Sequence, residues 1–177
     1  MKKTFLNKRI IIPEEAGLSV LKGAVLFGHK PDYIASRVMR FSYGVGVNML
    51  FDSDNHEQHR KYTCIVDGTD RCYDTFAEII KLNESVELGT KVSRSYSTTE
   101  PNEKSVLISV CASTKEKPMY IDEDDCVLIG EAIIEIPFPT EEQRNISVEY
   151  VFGNTEISMT ATDDLHGTQC EATFKLI

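Results

Sequence analysis

ISVEYVFGNTEISMTATDDLHGTQCEATF, residues 146–174, alternates apolar and polar side chains and breaks twice at turn-forming residues. In ISVEYVF (146–152) Ile146, Val148, Tyr150 and Phe152 share one face, and in QCEATFKL (169–176) Cys170, Ala172, Phe174 and Leu176 do. A period of two belongs to a strand with one side buried. Gly153-Asn154 has the spacing of a two-residue hairpin turn between two such runs, and ATDDLHGTQ offers a second turn ending in Gly167. Upstream, SVLISVC (105–111) puts Val106, Ile108 and Val110 on one face. Strands joined by tight turns run antiparallel, and several with one apolar face each bury it only by pairing into two layers. The expected fold is mainly β, an antiparallel β-sandwich over residues 45–177, preceded by one or two helices.

The first 44 residues have a different period. IIIPEEAGLSVLKGAVLFGH (10–29) predicts a strand over 8–12 and then a helix. Pro13 opens it where a missing N–H is harmless, Glu14 and Glu15 sit at the positive end of the helix dipole, and Gly28 stops it. Ala16, Val20, Ala24 and Phe27 form one apolar stripe and Leu18, Leu21 and Val25 another, with Lys22 the sole charge between Gly17 and Gly28. That pattern suits a helix packed on two sides. A second short helix is predicted over 31–40, with Ile34, Ala35 and Val38 inward and Arg37 and Arg40 outward. Charge changes at the same place: residues 1–40 carry eight Lys and Arg against three Asp and Glu, and 41–177 carry eleven against twenty-five. The expected division is therefore 1–44 and 45–177, near Gly44 and Gly46.

Composition narrows the function classes. With 177 residues, 41% of them hydrophobic, the chain can hold one ordinary domain or one plus a fragment. No run approaches the roughly 18 to 20 apolar residues of a membrane span, and MKKTFLNKRIIIPEE lacks a signal-peptide pattern, so a cytoplasmic chain with no membrane partner is expected. Cys64, Cys72, Cys111, Cys126 and Cys170 are odd in number and scattered, which predicts reduced thiols. The acidic larger part argues against a nucleic-acid partner.

Three clusters could carry chemistry. His56, His59, Cys64 and Cys72 are all able to bind zinc, but their spacing matches no standard finger, and an exposed loop over 51–61 beside two buried thiols is the expectation. Asp122, Glu123, Asp124 and Asp125 lack the glycine and distal glutamate of a calcium loop and read as a charged turn. His166 near Asp163 and Asp164 would need a serine nucleophile, and no GxSxG elbow exists; Cys111 and Cys126 would need a base that cannot be placed. No catalytic residue and no metal site is assigned.

Four blocks recur in a known order: PEEAGLSVLKGAVL, YSTTEPNEKSVLISV, KPMYIDEDDCVLIGEAIIEIP, and ISVEYVFGNTEISMTATDDLHGTQCEATF. In this order the sequence resembles the seventy-kilodalton heat-shock chaperones, from the last helix of the nucleotide domain through the substrate-binding sandwich. PEEAGLSVLKGAVLFGHKPDYIASRVMRFSYGVGV is similar to the divergent branch called heat shock 70 kDa protein 12. The resemblance implies that 1–44 is the remnant of an actin-like ATPase domain. The parent family binds ATP, with Glu14 and Glu15 near the adenine edge. The phosphate loops and catalytic segments of that domain have no counterpart here, and neither GxxxxGKS/T nor GxGxxG occurs, so no cofactor and no enzymatic activity is expected of this chain. The resemblance further implies an extended client peptide in a cleft at one end of the sandwich, with Tyr96 on the wall, Thr99 at the arch, Val106 at the pocket floor and Ile108 beside it. Apolar lining suits that task because peptide side chains are desolvated there.

The pattern departs from the family in three places. RFSYGVGV (40–47) runs into the sandwich without the acidic-leucine linker, no lid sequence follows Ile177, and residues 48–68 have no obvious counterpart. The expected function is non-covalent binding of extended apolar polypeptide or a partner protein. The alternative is an acidic interaction scaffold that docks one fixed partner and has no client cleft.

Overall fold

The computed structural model describes residues 12, 15–30, 35–153 and 155–177. It divides into two compact units, Met1–Ala35 and Ser36–Ile177.

In the first unit, helix α1 (Ala16–His29) buries none of its residues, and Leu18, Leu21 and Val25 stand exposed. Its first turn closes through Leu18 N–H to Glu15 O at 2.9 Å, and Glu15 pairs with Lys22. Residues 8–11 of the expected strand, Pro13 and Glu14 lie outside the described residues, as do 31–34 of the expected second helix.

The rest of that second helix is a strand instead. Ser36–Val38 (β1) pairs antiparallel with Ser85–Glu87 (β5). Met39 N–H then donates to Glu84 O at 2.9 Å, and Arg37 Nη2 donates to Gly153 O at 2.8 Å. The helical reading put Val38 inward, yet Val38 is exposed and Met39 is buried. Long-range backbone partners outweighed a short and weakly periodic helix signal. The division expected at 44/45 also moves, because it falls inside β2 (Ser42–Leu50). Gly44 and Gly46 serve close packing within a strand rather than a linker.

The remaining elements among the described residues are a 3₁₀ turn (Gln58–Arg60), β3 (Lys61–Thr63), β4 (Asp70–Ile80), β6 (Thr90–Ser97), β7 (Ser105–Ser113), β8 (Cys126–Glu135), β9 (Asn145–Phe152), β10 (Glu156–Asp163) and β11 (Gln169–Lys175). They form a five-stranded sheet, β3-β4-β2-β7-β8, and a four-stranded sheet, β11-β10-β9-β6, with every pairing antiparallel. The fold is the expected β-sandwich. Gly167 takes φ +70 in the β10–β11 hairpin, where Asp163 N–H donates to Thr168 O at 2.8 Å.

Alternation decides what is buried. Ile146, Val148, Tyr150 and Phe152 of β9 and Ile157, Met159 and Ala161 of β10 meet Tyr43, Val45, Ile108, Val110 and Ile134 from the other sheet in one core. The Tyr43 and Phe152 rings pack edge-on at 6.4 Å.

A Cβ on Gly44 would lie 2.2 Å from Phe76 Cε1 and 2.6 Å from the Ala77 carbonyl oxygen. On Gly46 it would meet the end of the Ile121 side chain at 2.6 Å, which can rotate away. Gly44→Ala is therefore expected to destabilise by about 1–3 kcal/mol and Gly46→Ala by distinctly less, read from urea unfolding midpoints. Equal losses would contradict the packing account.

The division at Ser36 makes a second prediction. Removing residues 1–35 should leave the thermal midpoint of the sandwich within a few degrees of the full chain, since α1 buries nothing. Removing 1–40 deletes β1 and the buried Met39, and should lower it by several degrees more.

Candidate functional site

The five-stranded sheet forks. β2 pairs with β7 only through residues 42–45 against 110–113. Beyond that point β2 continues against β4 alone, and residues 105–109 of β7 continue against β8 alone. Val47 O accepts from Thr75 Oγ1 at 2.7 Å and Asn48 O from Arg71 Nη1 at 3.2 Å, which holds β2 to β4 as it leaves β7.

The fork opens a cleft of about 710 Å³. One prong is lined by residues 45–49 and the other by 105–109; residues 95–99 and Ile146 of the second sheet close it behind. The lining is apolar at Val45, Val47, Met49, Val106 and Ile121, and charged at Arg71, Asp74 and Glu103.

The structure places Tyr96, Thr99, Val106 and Ile108 together in this lining. Val106 is partly buried and packs against the core, while Ile108 is 5% exposed and chiefly a core residue. The Tyr96 hydroxyl lies 3.4 Å from that of Tyr150, and burial pushes both phenols above their ordinary range. Thr99 contributes its backbone: its carbonyl accepts from Cys64 Sγ at 3.2 Å.

Neighbouring loops brace the arch over the cleft. Thr98 N–H donates to Arg144 O, and Arg144 N–H donates to Thr98 Oγ1, each at 3.0 Å. Asn102 N–H reaches Thr140 O at 2.8 Å, and Gln143 Nε2 reaches Asp67 Oδ2 at 3.0 Å. Underneath, the Arg144 guanidinium is 4% exposed and donates to Asp163 Oδ2 at 3.0 Å and to the Phe138 carbonyl at 2.8 Å. Asp163 is fully buried and also accepts from Leu165 N–H at 3.2 Å.

The other clusters resolve into structural ties. His166 Nδ1 lies 3.3 Å from Arg144 Nη1, and its ring faces Phe138 at 5.5 Å. Asp163 Oδ2 is thus shared, with Arg144 Nη1 at 3.0 Å and His166 Nδ1 at 3.6 Å. Burial pushes the Cys111 thiol up to about 11, opposite to the direction that would make a nucleophile. Among the described residues no three His, Cys, Asp or Glu side chains gather as a metal would require. His56 Nδ1 accepts from Asp52 N–H, while Cys64 bonds to the arch. Asp122 pairs with Arg60 at 2.7 Å, Asp125 with Lys115 at 3.1 Å, and Glu123 Oε1 accepts from Met119 and Tyr120 N–H. Arg60 lies 4.1 Å over the Tyr120 ring, so loop 51–60 is fastened to the charged turn.

The β2 prong, Ile121, Arg71, Glu103 and the Arg144 brace are absent from the sequence-derived set. Residues 48–68 have no obvious counterpart in the family pattern, which hid the far end of the β2 prong, Asn48 and Met49. Arg144, in EEQRNIS, looks like a solvated turn cation, and no local signal marks its burial.

No family model matches the chain. The chain is 34% identical over 159 residues to heat shock 70 kDa protein 12A of Mus musculus and to that of Homo sapiens, which covers 88% of this chain. Human heat shock 70 kDa protein 12B is 32% identical over 165 residues. The chain is similar to a part of heat shock 70 kDa protein 12. It spans 23% of the length of the two 12A relatives and 24% of the 12B relative. Among the described residues no helix is long and apolar enough to cross a membrane.

Proposed function

We propose that this chain binds an extended polypeptide non-covalently in the forked cleft. The observation that carries the reading is the parting of β2 from β7, which leaves two strand edges and an apolar lining around a groove. An extended ligand can offer backbone groups to such edges and side chains to the lining. The likeness to heat shock 70 kDa protein 12 supports a chaperone-type client site, with Val106 and Ile108 at the pocket and Tyr96 and Thr99 at wall and arch.

In this reading residues 1–35 derive from an actin-like ATP-binding domain, of which Glu14 and Glu15 are remnants, and the chain itself neither binds ATP nor acts as an enzyme. A cytoplasmic setting suits five free thiols.

Fluorescence anisotropy with a panel of unrelated, extended apolar peptides tests the reading. A client cleft is saturable, and many panel members displace one another. If none binds while a single folded partner does, the acidic scaffold is the function instead.

A further inference from the structure

We propose that His166 is a pH-sensitive latch on the arch over the cleft, holding it while the imidazole is neutral and loosening it when the ring takes up a proton. The ring stands in the β10–β11 hairpin with its side chain 33% exposed, so protons reach it from solvent. Its Nδ1 lies 3.3 Å from Arg144 Nη1 and 3.6 Å from Asp163 Oδ2. A guanidinium can only donate, so Nδ1 accepts and the ring proton sits on Nε2. Neutral His166 is thus a third acceptor for Arg144 Nη1, beside Asp163 Oδ2 at 3.0 Å and the Pro137 carbonyl at 3.4 Å.

Histidine is the side chain whose charge ordinarily changes between about pH 5 and 8. Protonation turns Nδ1 from an acceptor into a donor, which ends its bond from Arg144 and sets two cations side by side. The new N–H has Asp163 Oδ2 to turn to, and that oxygen already serves Arg144. The charged groups facing the ring are Arg144 from the loop before β9 and Asp163 from the end of β10. Phe138 covers the ring with an uncharged face, and Asp164, in the same hairpin, is exposed. Arg144 carries the change to the arch, since its backbone N–H and carbonyl both bond Thr98 while its Nη2 holds the Phe138 carbonyl. A titrating ring at the surface and a segment of the cleft wall therefore share one buried ion pair, the arrangement of a pH switch. The inference concerns the arch itself and holds whatever the cleft binds.

Amide hydrogen exchange of the full chain tests the latch, followed residue by residue by NMR at about pH 7.5 and about pH 5.5 and corrected for the intrinsic pH dependence of exchange. Protection of the Thr98 and Asn102 amides, which donate to Arg144 O and Thr140 O, should fall at least about fivefold on acidification. Tyr150 and Met159, paired in the core of the second sheet, should change less than about twofold and report that the sandwich stays folded. His166→Gln cannot take up a proton, and its arch amides should change less than about twofold over the same range. The other histidines are still present in that variant, so it isolates His166. Arch protection that is unchanged in wild type, that falls equally in His166→Gln, or that falls together with that of Tyr150 and Met159, overturns the proposal.

Discussion

Replacing Asp163 by alanine is expected to lower the unfolding free energy by about 3–5 kcal/mol, a large share of what a domain this size possesses. The reason is the asymmetry of a buried ion pair. Arg144 is 4% exposed and Asp163 is fully buried, so deleting the carboxylate strands a guanidinium that cannot reach water without opening the loops around it. Leu165 N–H also loses its acceptor. Arg144→Met combined with Asp163→Leu should recover part of the loss, since neither side then holds an unpaired charge, although the Phe138 carbonyl still loses its donor. Urea unfolding of the two variants measures this. A loss below about 1 kcal/mol for Asp163→Ala would mean that water reaches Arg144 and that the pair does not brace the arch.

Val106→Asp is expected to weaken binding of apolar peptides by at least about tenfold, because an apolar side chain buried in a pocket contributes about 1.5–3 kcal/mol. Val106 sits opposite Ile134 in the β7–β8 ladder and faces the open end of the fork. A carboxylate there removes the pocket floor and adds a charge that a bound side chain would have to desolvate. Ile133→Asp is the matched control: Ile133 is 56% exposed and lies outside the cleft lining. Val106→Thr keeps the shape and serves if the aspartate variant does not fold. Anisotropy and far-ultraviolet circular dichroism together decide the outcome. Unchanged affinity in folded Val106→Asp and Val106→Thr would place the ligand elsewhere on the sandwich.

The two variants probe parts of the molecule that were unequally visible before the structure. Val106 and Ile108 announce themselves by strict alternation, and alternation is enough to place them on the inner face of a strand. It does not show that β7 parts from β2 five residues short of its own beginning, because that depends on where β2 stops pairing. Arg144 and Asp163 are invisible as a pair, since they lie on different elements and each looks like an ordinary turn residue. Ser36–Val38 departs from its local pattern for the same reason: three residues of weak local preference pair with β5, far along the chain.

Sequence alone determined the class of this protein: period-two faces and glycine turns demand antiparallel strands, and one apolar face per strand demands a second sheet. It also carried the likeness to heat shock 70 kDa protein 12. Tertiary structure alone decided where the first sheet forks and which arginine is buried beneath the arch. Local patterns report which side of an element avoids water; a site forms where separate elements converge, and convergence is settled only when the whole core is packed.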